Sequence, residues 1–217
     1  MNPYALVRRI IVAALTGTLP DEYRDESVKI LTQALNAPDD EVRALTVIGL
    51  SELGADAHAV LPALSGAMHD GCIQVRRRAA RSLGDLENAA LPSLPHLVAA
   101  LDDSSVSVRM EAMSAIGRIG PEAEPAVPHI MPMLADEQIR VRIVAGATLK
   151  KIGQSCIPAL VDALTDPDAI TRERAALLLG QLHATDDSVI EGLLEALADY
   201  DDDVREAARK ALRLIEV

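Results

Sequence analysis

The 217-residue sequence contains no Phe and no Trp, and its only tyrosines are Tyr4, Tyr23 and Tyr200. That scarcity disfavours aromatic base-stacking platforms and cation-binding aromatic cages. It also forces any core to be built from Leu, Ala, Ile and Val. Cysteine is equally scarce. Cys72 and Cys156 are too few for a disulfide framework and suit a reducing compartment. Basic side chains are outnumbered, 21 Lys and Arg against 33 Asp and Glu, for a net charge of -12. A chain so acidic repels phosphate backbones, so no nucleic-acid partner is expected. No apolar run approaches the roughly 20 residues that a membrane-spanning helix needs, so no membrane partner is expected either. Arg8 and Arg9 followed by apolar residues 10–15 imitate the start of a secretory signal. No small-residue cleavage pattern follows, and Thr18-Leu19-Pro20-Asp21-Glu22 reads as a helix stop and a new start. A cytoplasmic location is expected.

Apolar residues make up 49% of the chain and charged ones 25%, enough for a sizeable core. They recur with a period. Arg43, Arg76, Arg109, Arg142, Arg172 and Arg205 are spaced by 33, 33, 33, 30 and 33 residues. Three residues after each stand Thr46, Ala79, Ala112, Ala145, Ala175 and Ala208; seven after stand Leu50, Leu83, Ile116, Leu149, Leu179 and Leu212. Offsets of -1, +3, +7 and +10 share one stripe of a 3.6-residue helix, so each Arg opens an amphipathic helix. Upstream, apolar residues at -15, -12 and -8 mark a first helix, as in Leu94, Leu97 and Leu101. Pro62, Pro95, Pro128 and Pro158 are expected near the first turn of such helices, where a missing N–H costs nothing.

An acidic turn joins the two helices of each unit, and its Asp and Ser residues suit the N-terminus of the second helix. Asp70, Asp103, Asp136, Asp166 and Asp199 each stand six residues before a repeat arginine, in five of the six units. With Arg76, Arg109, Arg142, Arg172 and Arg205 they are expected to form a hydrogen-bonded ladder from unit to unit. Residues 3–17 read as a half unit through Val7-Arg8, Ile11 and Leu15, and Arg209 marks the final helix as a terminal cap.

The repeat resembles HEAT-repeat proteins, especially the short class named after phycobilisome lyases, as in Asp-Asp-Ser-Ser-Val-Ser-Val-Arg followed by Ala112, Ile116-Gly117 and Ile119-Gly120. The resemblance covers residues 26–217 and implies an all-α fold: a right-handed α-solenoid of stacked antiparallel helix pairs, the alpha-alpha superhelix. It is expected as a single repeat domain over 1–217, with an N-terminal capping helix at 1–20 and repeats at about 21–56, 57–89, 90–122, 123–153, 154–184 and 185–217. Ankyrin and tetratricopeptide arrays share this period, but the Thr-Pro-Leu-His turn and the tetratricopeptide aromatics are missing.

On the second helices, offsets +1 and +5 lie opposite the core stripe. They expose a basic spot at Arg77, Arg78 and Arg81, then apolar Met110, Ile143 and Leu177. That mixture suits an amphipathic or acidic protein segment. No catalytic residue, cofactor or metal site is expected. The five histidines are scattered, and His96 and His129 share a register about 10 Å apart, too far to share a zinc. Cys156, in the shortened loop, is expected to be the more reactive thiol. HEAT-like deoxyhypusine hydroxylases carry His-Glu pairs just after the Val-Arg, where this chain has Arg77-Arg78, Met110-Glu111 and Ile143-Val144. The expected function is a non-catalytic scaffold or adaptor binding a protein or peptide segment on its concave face. The resemblance implies an alternative, a bilin-lyase-like or chromophore-handling subunit.

Overall fold

The small residues three places after each repeat arginine set the packing distance: Thr46, Ala79, Ala112, Ala145, Ala175 and Ala208 are completely buried. The branched residues seven places after are buried with them. In a helix these positions lie one turn apart on one face, so each second helix presents a flat apolar strip to its neighbours. The computed structural model describes residues 4–53 and 57–215, so the end of the repeat expected at 21–56 lies outside the described residues. Among the described residues the secondary structure is wholly helical. The chain divides into two compact units, Met1–Arg118 and Ile119–Val217.

In the first unit α1 (Ala5–Leu15), α3 (Asp40–Glu52), α5 (Ile73–Asp85) and α7 (Val106–Ile119, its last residue counted with the second unit) carry the repeat arginines or their equivalent. The first helices are α2 (Arg24–Ala34), α4 (Ala57–Ala67) and α6 (Leu94–Ala99). α1 packs on α3 and α3 on α5, so second helix follows second helix. In the second unit the first helices are α8 (Val127–Ile130), α10 (Ile157–Asp162) and α12 (Asp187–Ala196); the second helices are α9 (Ile139–Ile152), α11 (Ala169–Gln181) and α13 (Asp202–Leu214).

Proline decides how the first helices begin. Pro95, Pro128 and Pro158 stand in the first turn of α6, α8 and α10, each preceded by a 3-10 segment. Pro62 does not: it lies inside α4, which begins earlier than expected. Capping is also selective. Asp39, Asp168 and Asp201 accept N–H groups at the start of α3, α11 and α13, whereas Cys72 and Gln138 precede α5 and α9 without a side-chain cap. The half unit packs with a different stripe from the expected one. Val7, Ile10, Ile11 and Ala14 are buried, while Leu15 is exposed.

Each repeat arginine is tied to the turn before it, and Arg43, Arg76 and Arg172 reach the next repeat as well. Arg76, Arg109, Arg142, Arg172 and Arg205 donate to the backbone carbonyls of Asp70, Asp103, Asp136, Asp166 and Asp199 at 2.9, 2.9, 2.7, 2.8 and 2.6 Å. Arg43 reaches both oxygens of Asp70 at 2.7 and 2.9 Å, Arg76 those of Asp103 at 2.6 and 2.9 Å, and Arg172 those of Asp199 at 2.8 and 2.9 Å. Such two-pronged pairs fix direction as well as distance. The same carboxylates accept the N–H of Cys72, Ser105 and Asp201 in their own turns. The rung expected between Arg142 and Asp166 is absent. The repeat is three residues shorter there, and the Asp166 carboxylate accepts only the N–H of Asp168.

The guanidinium groups of Arg43, Arg76 and Arg172 hold the carboxyls of Asp70, Asp103 and Asp199 below the ordinary value of 3.8. A depressed folded-state pKa contributes stability that is fully present above the unfolded-state value and is lost as pH falls through the folded-state one. Stability is therefore expected to hold down to about pH 4 and then to drop as these carboxylates take up protons. Denaturant titrations followed by circular dichroism across the acid range check this; a midpoint that does not move below that pH would refute it.

Candidate functional site

The residues singled out on the second helices fall into both units. On α5, Arg77 and Arg78 are half-buried and Arg81 is exposed; Met110 on α7 is half-buried. Arg78 is partly committed, since it donates to the carbonyl of Ala44 on α3 at 3.1 Å. Ala44, which follows Arg43 in the +1 register opposite the core stripe, is buried. In the second unit Ile143 on α9 is 57% exposed, and Leu177 on α11 is half-buried. These two line one cleft of about 580 Å³ between α9 and α11.

The cleft has a cause that can be read from the packing of neighbouring second helices. Gly84 on α5 meets Ala115 on α7 so closely that an added Cβ would lie 2.9 Å from the Ala115 Cα. Gly180 on α11 meets Ala211 on α13 more closely still, at 2.5 Å. Eight residues after the repeat arginine, then, a glycine packs against an alanine six residues after the next one. On α9 the corresponding residue is Lys150, and the residue facing it on α11 is Leu178. Two long side chains replace two small ones, so α9 and α11 stand apart. Gly146 lies along the opening, and a Cβ there would find only Leu178, at 3.6 Å.

Charge in the cleft is of one sign. Arg142, Lys150, Lys151 and Arg174 line it, and no Asp or Glu does. The Nε atoms of Arg142 and Arg174 are buried without a hydrogen-bond partner. Arg142 was placed in the ladder by its spacing; with the rung missing its Nε has no partner, while its Nη1 still donates to the carbonyls of Asp136 and Glu137. Lys150, Lys151 and Arg174 were not anticipated from the sequence as cleft residues. Two signals pointed at them: the shortened repeat, and lysine where Gly84, Gly117 and Gly180 stand in other repeats.

A second cleft, of about 690 Å³, lies between α1 and α2 and is lined by Leu6, Val12, Tyr23 and Ile30 together with Arg8, Arg9 and Glu26. It is the larger of the two, yet it mixes charges and contains none of the anticipated residues. His96 meets His69, with Nδ1 of one 3.2 Å from Nε2 of the other. Among the described residues no group of three or more His, Cys, Asp or Glu is placed to hold a metal, and no helix is long and apolar enough to cross a membrane.

The thiols reverse the expected order of reactivity. Cys156 is fully buried, and burial pushes its pKa up to about 11. Its Sγ donates to the Gly153 carbonyl at 3.0 Å. Cys72 is half-buried. The thiolate is the reactive form, so Ellman's reagent is expected to modify Cys72 quickly and Cys156 only after denaturation. Two fast thiols in the native protein would contradict this.

The alternation of first and second helices, the arginine-aspartate ties and the buried apolar strip all describe a helical-hairpin repeat, and a family model described as HEAT repeats matches residues 60–150 and 127–213. The chain belongs to the HEAT-repeat family. Its fold class is the α-solenoid, which HEAT and armadillo proteins share. An engineered protein solved by crystallography is 23% identical, with 87% of this chain and 96% of that one covered and a TM-score of 0.58. A designed armadillo repeat protein in complex with the peptide (KR)4 is 19% identical, covering 87% of this chain and 99% of that one at a TM-score of 0.55. Computationally designed armadillo repeat proteins for modular peptide recognition are 20% identical, covering 86% and 99% at 0.57. At such identities the likeness speaks for the fold alone. No curated protein matches the HEAT-repeat chain.

Proposed function

We propose that this HEAT-repeat chain is a non-catalytic scaffold that binds a segment of another protein on the face carried by its second helices. It would act in the cytoplasm, where two free thiols stay reduced. The observation that carries the reading is the exposure of Ile143 beside Leu177 in the α9–α11 cleft. An apolar side chain held out beside a formed cleft, rimmed by cations, is the composition of a peptide-binding surface. In the first unit Arg77 and Arg81 add charge, and Met110 adds an adaptable apolar contact. The designed armadillo relatives, made for modular peptide recognition, support the same use of a related fold. The chromophore-handling alternative rests on the resemblance of the repeat pattern alone.

Selection of a displayed peptide library against the immobilised full chain tests this. Enriched peptides are expected to lose about tenfold or more in affinity to Ile143→Ser with Leu177→Ser, or to Arg77→Glu with Arg81→Glu. Enrichment that yields no peptide, or peptides indifferent to both pairs of substitutions, would overturn the reading.

A further inference from the structure

We infer that the α9–α11 cleft is a receptor for an acidic segment of a partner protein, one that places leucine-like side chains between Ile143 and Leu177 and carboxylates against Lys150, Lys151 and Arg174. The inference rests on the protein-binding reading above and names the chemistry of the partner at one place. Four cations line this cleft without a carboxylate among its lining residues, in a chain whose net charge is -12. Elsewhere the protein pairs such arginines: Arg43, Arg76 and Arg172 each hold an aspartate. Here the matching aspartate is withdrawn by the three-residue shortening, and the Nε donors of Arg142 and Arg174 remain buried without an acceptor. A buried donor left unsatisfied is unfavourable. An incoming carboxylate meets the cations that line the cleft and gains charge-assisted hydrogen bonds to them.

The apolar half of the recognition comes from Lys150 and Leu178, which hold the helices apart, and from Gly146, which leaves the space between them unfilled. The repeat before it shows the filled alternative. Met113 occupies the register of Gly146 on α7 and is completely buried. The repeat before it does not have this glycine gap. A long basic segment is repelled by its rim, and a purely acidic one leaves Ile143 and Leu177 unused. Only a segment that is both acidic and apolar satisfies the two halves. Lys150 and Lys151 also suit the C-terminal end of the α9 dipole, but that role neither requires a cleft nor places Arg174 beside it.

The experiment titrates the full chain with three labelled peptides of equal length, followed by fluorescence anisotropy. One is composed of Glu, Asp and Leu, one of Lys and Leu in the same apolar pattern, and one of Glu and Ser. The Glu/Leu peptide is expected to bind, to weaken as salt is added, and to lose about tenfold in affinity to Lys150→Glu with Lys151→Glu. Both lysines are exposed, so the substitutions disturb no buried side chain. Gly146→Met leaves every charge in place and fills the cleft; it is expected to reduce affinity by about tenfold as well. Equal binding of the Lys/Leu peptide, equal binding of the Glu/Ser peptide, or unchanged affinity in the Gly146→Met variant would overturn the inference. Should library selection still yield peptides that depend on the second-helix face, the general reading stands while this one falls; should neither give binding, both fall.

Discussion

Replacing Arg172 by alanine is expected to destabilise the second unit by about 3–5 kcal/mol, the cost of removing one partner of a buried ion pair. The Arg172 side chain is 4% exposed and that of Asp199 9%. Its guanidinium also donates to the carbonyls of Asp166 and Pro167 at 2.8 and 3.1 Å and lies 4.6 Å from the centre of the Tyr200 ring. Truncation leaves the Asp199 carboxylate, held ionised by this neighbour, without its counter-charge in a largely buried site. Arg205→Ala provides the contrast. Its acidic partner, Asp202, has a side chain 89% exposed, and exposed pairs contribute about 0–1 kcal/mol. Urea unfolding of the two variants measures the difference. A double variant, Arg172→Met with Asp199→Leu, is expected to recover most of the loss, because removing both charges leaves neither stranded. Equal effects at Arg172 and Arg205 would show that the ladder does not act through burial.

Gly180→Ala is the second large effect, and its sign runs against helix propensity. In an open helix alanine is better than glycine by about 0.5–1 kcal/mol. At Gly180 the new Cβ would sit 2.5 Å from the Ala211 Cα, 2.9 Å from its Cβ and 3.3 Å from its carbonyl oxygen. The Cα and the carbonyl oxygen belong to the backbone of α13, and the Cβ is fixed to it, so none of them can rotate away. Separating the helices costs roughly 1–3 kcal/mol in lost packing, so net destabilisation of about that size is expected, and more for Gly180→Leu. Gly146→Ala serves as the control, since its Cβ meets only the end of Leu178 at 3.6 Å and keeps the propensity gain of about 0.5–1 kcal/mol. Thermal unfolding of the pair decides the matter. A stabilised Gly180→Ala protein would mean that α11 and α13 are not in backbone contact.

Most of the fold was legible because a repeat states its packing rule several times over. One apolar stripe is weak evidence for a helix. The same stripe returning at Thr46, Ala79, Ala112, Ala145, Ala175 and Ala208 leaves no other common period, and all six are buried. Where legibility failed, a single residue had been read apart from its neighbours. Cys156 looked accessible because its loop is short, but shortening draws the loop against the core. Ala44 occupies an outward register, yet the next helix covers it through Arg78. Pro62 carries the spacing of a first-turn proline, and α4 simply starts earlier.

The candidate site was only half visible. Ile143 and Leu177 were found from their register, because a helix turns by a known angle per residue and apolar residues off the core stripe stand out. Arg174, Lys150 and Lys151 were not, because each is unremarkable on a solvated helix face. What sequence alone determined is the alternation of two helices per repeat and the identity of the strip they bury, both consequences of local periodicity. What tertiary structure decided is where two neighbouring second helices fail to close. That depends on which residue of one helix lies across from which residue of the next, a relation between positions about 30 residues apart that no local pattern encodes.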